Sequence, residues 1–296
     1  MRVLITGANG QVGHELVRLA PEGMEVIGLS SAELDITRGA DVQAKVEQYH
    51  PGIVINAAAY TAVDRAEQEP ERAYAVNDKG VRHLAQAAAS AGVPLLHIST
   101  DYVFDGNAST AYLEEDTPCP TGVYGASKLA GEQALAEALP RNIILRTSWV
   151  FGSHGNNFVK TMLRLGRERE ELSVVADQYG CPTSAASIAR ALWALAVLYR
   201  DQGELEWGVY HFAGTPHCTW YDFAEAVFEV AFERGYIHQK PFLNAIGTVD
   251  YPTPANRPAW SVLDSSLLNH TFSMAPLDWR EELRNVLDEL GTQETP

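Results

Sequence analysis

Cysteine is scarce in this chain of 296 residues. Cys119, Cys181 and Cys218 are odd in number, widely spaced and never in a C-x-x-C pair. That usage supports neither a disulfide framework nor a structural zinc site, and it points to a reducing cytoplasm. Long apolar runs are missing as well. No stretch approaches the roughly 18 residues that a membrane-spanning helix needs, and the first residues read as a core strand rather than a secretory leader. Positive charge is the third shortage: 22 Lys and Arg stand against 38 Asp and Glu, a net charge of −16. An acidic chain is a poor nonspecific ligand for nucleic acid or an anionic membrane. An anionic small molecule must then be held by local groups, such as helix N-termini and a few arginines. Internal repeats and low-complexity tracts are absent too.

Hydrophobic residues, at 46% of the chain, suffice for a sizeable core. The most informative segment comes first. The apolar run Val3-Leu4-Ile5 is followed by Thr6-Gly7-Ala8-Asn9-Gly10-Gln11-Val12-Gly13. A buried strand ends, glycines turn the backbone tightly, and a helix begins near Gln11. Such a helix offers free N–H groups and the positive end of its dipole to a diphosphate. The spacing of Gly7, Gly10 and Gly13 is three and three, not the two and three of the commonest dinucleotide fingerprint.

Strand and helix signals alternate through the first half. Strands are expected near Val3–Thr6, Glu25–Leu29, Ile53–Asn56, Leu95–Ser99 and Ile143–Arg146, and helices at Gln11–Ala20, Asp41–Tyr49, Glu71–Ala91 and Tyr124–Ala138. This pattern predicts an α/β fold with a doubly wound parallel sheet, Rossmann-like, over residues 1–150. The alternation loosens beyond Phe151. Helices are expected at Phe158–Arg169, Ala185–Tyr199, Tyr221–Arg234 and Trp279–Leu290, with a strand at Val209–Phe212 and an extended loop through Pro252, Pro254 and Pro258. Residues 151–296 therefore read mainly as a smaller α/β substrate-binding lobe, with some segments returning to the first sheet. The tail from Gly291 is expected to fray.

A second cluster carries chemistry. Ser99-Thr100 ends a predicted strand, on the side where open α/β sheets place ligands. Tyr124-Gly125-Ala126-Ser127-Lys128 opens a helix, which sets Tyr124 and Lys128 on one face. A nearby ammonium lowers a phenol from its usual value of about 10, and Tyr124 can then protonate a carbonyl oxygen that Thr100 orients. The spacing alone is weak, since Tyr236 and Lys240 repeat it without a glycine loop or a strand-end hydroxyl.

Taken together, Thr-Gly-x-x-Gly-x-x-Gly, Asn56-Ala57-Ala58-Ala59, Ser99-Thr100 and Tyr-x-x-x-Lys resemble the extended short-chain dehydrogenase/reductase superfamily. The segments Ala58–Asp64, Ser99–Phe104, Arg146–Val150, Asp177–Thr183 and Tyr251–Pro258 are similar, more narrowly, to the dTDP-4-dehydrorhamnose reductase family. That resemblance covers nearly the whole chain. It implies reduction of the C4 ketone of a dTDP-6-deoxy sugar by NADPH or NADH. It also implies that Gly7, Gly10, Gln11, Val12 and Gly13 hold the cofactor diphosphate. Ser30, Asp35 and Ile36 would lie near the adenosine half, and Ala59, Tyr60 and Thr61 would line the cofactor. Tyr124 would donate the proton, and Lys128 would hold the nicotinamide ribose. Thr100 and Asp101 would contact the sugar, with Trp149 packed against it. On the residues alone, Trp149 reads also as core, although its place just past a strand's carboxyl end favours the cleft. Asn157 reads as a helix cap or a diphosphate ligand, Arg257 as a phosphate clamp or a surface arginine, and Asp64 as a solvated partner of Arg65.

Two other functions fit the same superfamily. An epimerase or dehydratase is one, although Thr100-Asp101-Tyr102 lacks the second acid expected of a dehydratase. A non-catalytic regulatory subunit is the other. The second strand ends Gly28-Leu29-Ser30-Ser31, with Glu33 and Asp35 only further on. No acid or arginine stands at its end, so both cofactors are expected, with NADPH modestly preferred. Some members of the resembled family are dimers bridged by Mg²⁺, and Glu15 matches one ligand. A carboxylate expected just after Pro182-Thr183 is replaced by Ser184, Ala185 and Ala186. Hard Mg²⁺ needs such oxygens, so a monomer or weak homodimer that tolerates chelation is expected.

Overall fold

The computed structural model describes residues 1–294, with side chains through 292. The first half alternates strand and helix: β1 (Arg2–Thr6), α1 (Gln11–Arg18), β2 (Glu25–Leu29), α2 (Gly39–Tyr49), β3 (Ile53–Asn56), the short helices α3 (Val63–Ala66) and α4 (Pro70–Tyr74), α5 (Val81–Ala91), β4 (Leu95–Thr100), α6 (Val123–Ala138) and β5 (Asn142–Thr147). The second half adds β6 (Val150–Phe151), α7 (Phe158–Glu168), β7 (Glu171–Val175), β8 (Tyr179–Gly180), β9 (Thr183–Ser184), α8 (Ala185–Gln202), β10 (Gly208–His211), β11 (Cys218–Thr219), α9 (Trp220–Glu233), β12 (Phe242–Ile246), α10 (Ser266–Phe272) and α11 (Trp279–Glu294).

Six strands form one parallel sheet in the order β10-β5-β4-β3-β1-β2. Successive residues of each strand point to opposite faces, and both faces are apolar, as a sheet covered on two sides requires. Val3 and Ile5 pack under α1 and α8, while Leu4 packs under α2 and α5. The chain winds outward from β1 to β2, then crosses back to β3 on the other side of β1. That reversal opens a crevice at the carboxyl ends of β1 and β3, where such sheets bind ligands. A separate core joins α7, α9, α11 and β7. Both β10 and α8 come from the second half, yet they complete the large sheet and cover it.

Three expectations need amending. The helix foreseen over Glu71–Ala91 is interrupted by a wider π turn at Ala75–Gly80. There α6 lies so close that a Cβ on Gly131 would stand 1.9 Å from the Asn77 carbonyl oxygen. The pair β7–β12 and helix α10 gave no clear periodic signal; α10 buries only Leu268. The tail does not fray at Gly291, because α11 continues through Glu294, and residues 295–296 lie outside the described residues.

Helix α6 carries the Tyr-x-x-x-Lys face and is held at both ends. Its start is fixed by Val123 N–H donating to Glu67 Oε1 at 2.8 Å. Further along, Glu132 accepts from Arg146 of β5 at 3.0 and 2.7 Å, with both side chains 4% exposed. Removing one partner of such a pair strands a buried charge, at a cost of about 3–5 kcal/mol.

Candidate active site

The glycine loop is built for close approach. Gly7 has φ +71, and a Cβ there would lie 2.6 Å from Ala58 N. A Cβ on Gly13 would fall 2.0 Å from the Gly7 carbonyl oxygen. Gly10 caps α1 without any side-chain hydrogen bond, which leaves first-turn N–H groups facing the crevice. Val12 is buried in the core, so only its backbone is offered there.

At the carboxyl end of β4, Thr100 Oγ1 donates to Asp101 Oδ1 at 2.9 Å and accepts from Tyr102 N at 3.2 Å. The Tyr124 phenol comes up beside Thr100. Its ring meets Tyr102 edge-on, with centroids 5.4 Å apart. Burial raises the Tyr124 phenol well above its ordinary value, and the nearby Thr100 hydroxyl only partly offsets this. The lowering expected from Lys128 is therefore not found. Lys128 Nζ is spent elsewhere, donating to Ile98 O at 2.7 Å and standing 3.2 Å from His97 Nε2. A neutral phenol that holds its proton is a stocked acid rather than a base. Asp101 is also buried, and its Oδ2 has no partner. Burial pushes its carboxyl up to about 6, against the nearby hydroxyls of Ser261 and Thr100.

Lys128 belongs to a buried chain. Asn56 Oδ1 accepts from Thr6 Oγ1 at 2.6 Å and from Ala58 N at 3.0 Å. This turns the Asn56 amide nitrogen toward His97 Nδ1, 2.9 Å away. Nδ1 is then the acceptor, and Nε2 carries the ring hydrogen. That hydrogen points at Lys128 Nζ and opposes an ammonium. Burial acts in the same sense and lowers Lys128 to about 8, with Glu132 pulling the other way.

Over residues 1–292 the chain matches the family described as the RmlD substrate binding domain. It is 48% identical to a dTDP-4-dehydrorhamnose reductase of Aggregatibacter actinomycetemcomitans over 96% of this chain and 98% of that one. It is 43% identical to the Escherichia coli K12 enzyme of the same name, over 99% of each.

The chain belongs to the dTDP-4-dehydrorhamnose reductase family.

Solved structures agree. A reductase of this family from Clostridium acetobutylicum superposes with a TM-score of 0.90 at 39% identity, over 98% of this chain and 100% of that one. One from Bacillus anthracis, in complex with NADP, gives 0.89 at 41%, over 97% and 99%. A UDP-glucose 4-epimerase of Thermus thermophilus, 22% identical with a TM-score of 0.81, covers all of both chains and shares the fold alone.

For this member of the reductase family, the structure brings Thr100, Asp101 and Tyr124 together beside the Tyr60 loop, while Lys128, one turn along α6, turns its Nζ to Ile98 O and His97. That loop is held by Asn77, which accepts from Tyr60 N at 2.8 Å and donates to Tyr60 O at 3.0 Å. Arg257 also reaches this end, but as the partner of Asp64 at 2.8 Å, with Tyr102 Oη at 3.5 Å. Asp64 thus pairs with a residue far away in sequence rather than with Arg65. Asn157 is a cap, accepting from Lys160 N at 3.1 Å, and a strut, donating to Gln11 Oε1 at 2.9 Å. Trp149 has φ +46, and its indole stacks on Trp220 at 3.5 Å, so one face is committed to the second core.

Other residues named for the site have side-chain partners of their own. Asp35 accepts from Thr37 N and Oγ1 within its own turn, at 3.0 and 2.8 Å. The Ile36 side chain is buried in the sheet's second face. Glu15 is buried on α1 and paired with Arg18. The strand-end acid missing beside Ser30 is supplied by a fold-back: Glu33 Oε2 accepts from Ser30 N at 2.9 Å and from Ser30 Oγ at 2.7 Å. That bonding holds the Glu33 carboxyl below its usual range. Sequence reasoning assigned no role to His97, Asn56, Asn77 or Glu33. A histidine inside the apolar strand Leu95–Thr100 was the one signal available. Tyr236, in the second Tyr–Lys pair, donates to Leu287 O at 2.6 Å and anchors α11.

Proposed function

We propose that this chain reduces the C4 ketone of dTDP-4-dehydro-L-rhamnose to dTDP-L-rhamnose. NADPH or NADH, when bound, supplies the hydride to C4 and leaves oxidised. The glycine loop and the uncapped start of α1 fit the cofactor diphosphate, since Cβ atoms on Gly7 or Gly13 would fill that cradle. Gly10, Gln11, Val12 and Gly13 hold it through backbone N–H groups, with Ser30 beside the adenosine ribose and Ala59, Tyr60 and Thr61 along the cofactor's length. Lys128 holds the nicotinamide ribose. Tyr124 gives its phenolic proton to the ketone oxygen, which Thr100 orients, and the oxygen becomes the C4 hydroxyl. Asp101, Trp149 and Arg257 form the sugar-nucleotide side, and Asn157 keeps the lobe against Gln11. Residues 1–150 carry the cofactor and most of 151–296 the substrate. The enzyme works in the cytoplasm as a monomer or weak homodimer, without a nucleic-acid or membrane partner; no described helix is long and apolar enough to cross a membrane.

What supports this reading most is Tyr124 packed against Tyr102 and Tyr60 at the end of β4, in a member of this reductase family. The test is loss of reduced-nicotinamide absorbance with a panel of 4-keto nucleotide sugars. Turnover with dTDP-4-dehydro-L-rhamnose supports the assignment. No turnover with any of the panel, together with tight binding to another protein, would favour a regulatory subunit.

A further inference from the structure

The Mg²⁺ implied by the family resemblance does not fit the residues around Glu15. The Glu15 carboxylate is buried, and its Oε2 already accepts from Arg18 Nε at 2.9 Å and Nη2 at 2.5 Å. Arg18 also holds Glu289, whose second oxygen accepts from Ser153 Oγ at 3.0 Å. Where a further carboxylate was expected, Ser184 caps α8, and Ala185 and Ala186 are buried. The groups facing Glu15 are instead two imidazoles. His14 and His154 stack with ring centroids 3.3 Å apart and planes 30° apart. One ligand atom from each of His14, Glu15 and His154 lies within 4.8 Å of the others. His14 Nδ1 is buried without a hydrogen-bond partner.

We propose that His14, His154 and Glu15 form a binding site for a zinc-class divalent cation. Two imidazoles and a carboxylate are the donor set of a three-ligand zinc site, completed by water. Zinc bonds of about 2.0–2.1 Å place tetrahedral ligands roughly 3.3 Å apart. To bind one cation the two stacked rings must part and turn edge-on toward Glu15, which the half-buried His14 and His154 side chains allow while Glu15 stays buried. Arg18 bonds only Oε2 of Glu15, which leaves Oε1 as the oxygen for the cation and makes Arg18 its outer-shell partner. The rings come from different elements: His14 from α1, which presents its N-terminus to the cofactor, and His154 from the loop between β6 and α7. Asn157 already ties these elements through Gln11. The cation adds a second tie a short distance away. Its role is to fasten the second lobe to the nucleotide-binding helix, outside the proton-transfer site, and it does not depend on the identity of the sugar.

The test uses full-length protein without a histidine tag, stripped with a chelator and titrated with Zn²⁺ against a chromophoric competitor. One Zn²⁺ per chain is expected, with a rise in unfolding temperature. His154→Ala and His14→Ala should each weaken binding by about tenfold or more and abolish the thermal shift. Mg²⁺ in millimolar excess should leave Zn²⁺ binding unchanged. Co²⁺ should give the visible absorption of a low-coordinate centre, and His154→Ala should lose it. Circular dichroism of the variants keeps a folding defect separate from a lost ligand, and His154 on its loop is the safer substitution. Absence of Zn²⁺ binding by the wild type, unchanged affinity in His154→Ala and His14→Ala, or displacement by Mg²⁺ would each overturn the proposal.

Discussion

Replacing Asp101 by asparagine should make the enzyme's stability depend on pH in a new way. Asp101 is 2% exposed, keeps one oxygen on Thr100 and leaves the other without a partner. Burial moves its carboxyl from 3.8 to about 6 in the folded protein. The folded state therefore holds this proton more tightly than the unfolded chain. The stability this contributes is fully present below pH 3.8 and is lost as the pH rises through about 6. At 1.36 kcal/mol per pH unit the loss is about 3 kcal/mol. Asp101→Asn has no such charge. It keeps the acceptor for Thr100 but puts an amide N–H₂ where the unpartnered oxygen was, at a cost of roughly 1–3 kcal/mol at every pH. The variant should be the less stable protein near pH 4 and should match or exceed the wild type near pH 8. His211, buried and held down to about 3 chiefly by desolvation, also makes stability depend on pH. That dependence is the same in both proteins and cancels. Denaturant unfolding of both proteins across this range measures the difference, and kcat should fall even where stability rises. A stability difference that stays flat with pH would refute the reasoning.

Tyr124→Phe keeps the ring against Tyr102 but removes the proton source, so kcat should drop about 10²-fold or more with cofactor affinity unchanged; near-normal turnover would remove Tyr124 from its role. Tyr236→Phe is the control, losing its bond to Leu287 and about 1 kcal/mol of stability but no activity. Glu33→Gln removes a negative charge from beside Ser30, where an adenine-ribose 2′-phosphate would be repelled. Its kcat/KM should shift several-fold toward NADPH, and an unchanged NADPH/NADH ratio would place the carboxylate away from the ribose. Asn157→Ala loses a cap and the strut to Gln11. It should cost about 1–2 kcal/mol in thermal unfolding and weaken cofactor binding, whereas a change in stability alone would make Asn157 only a cap.

Local signals sufficed for the elements of the large sheet. Val3-Leu4-Ile5 and Ile53–Asn56 are short and apolar on both faces, which only a buried parallel strand satisfies. Gly7 and Gly13 mark close backbone approach because no other residue fits there. The placement of Thr100 at a strand end and of Tyr124 and Lys128 on one helix was legible for a related reason: both are set by chain geometry. The choices among partners were not legible. Asp64 could pair with its neighbour Arg65 or with Arg257, and tertiary contact selected Arg257. Lys128 could face Tyr124 or the interior, and the Ile98 carbonyl took its Nζ, beside His97. Glu33 looked too distant from the end of β2 until a turn folded it back onto Ser30. Periodicity reports which face a residue shares along its own element. The pairing of charges and the burial that shifts Asp101 and Tyr124 depend on elements far apart in the chain, so they exist only once the fold has closed around them.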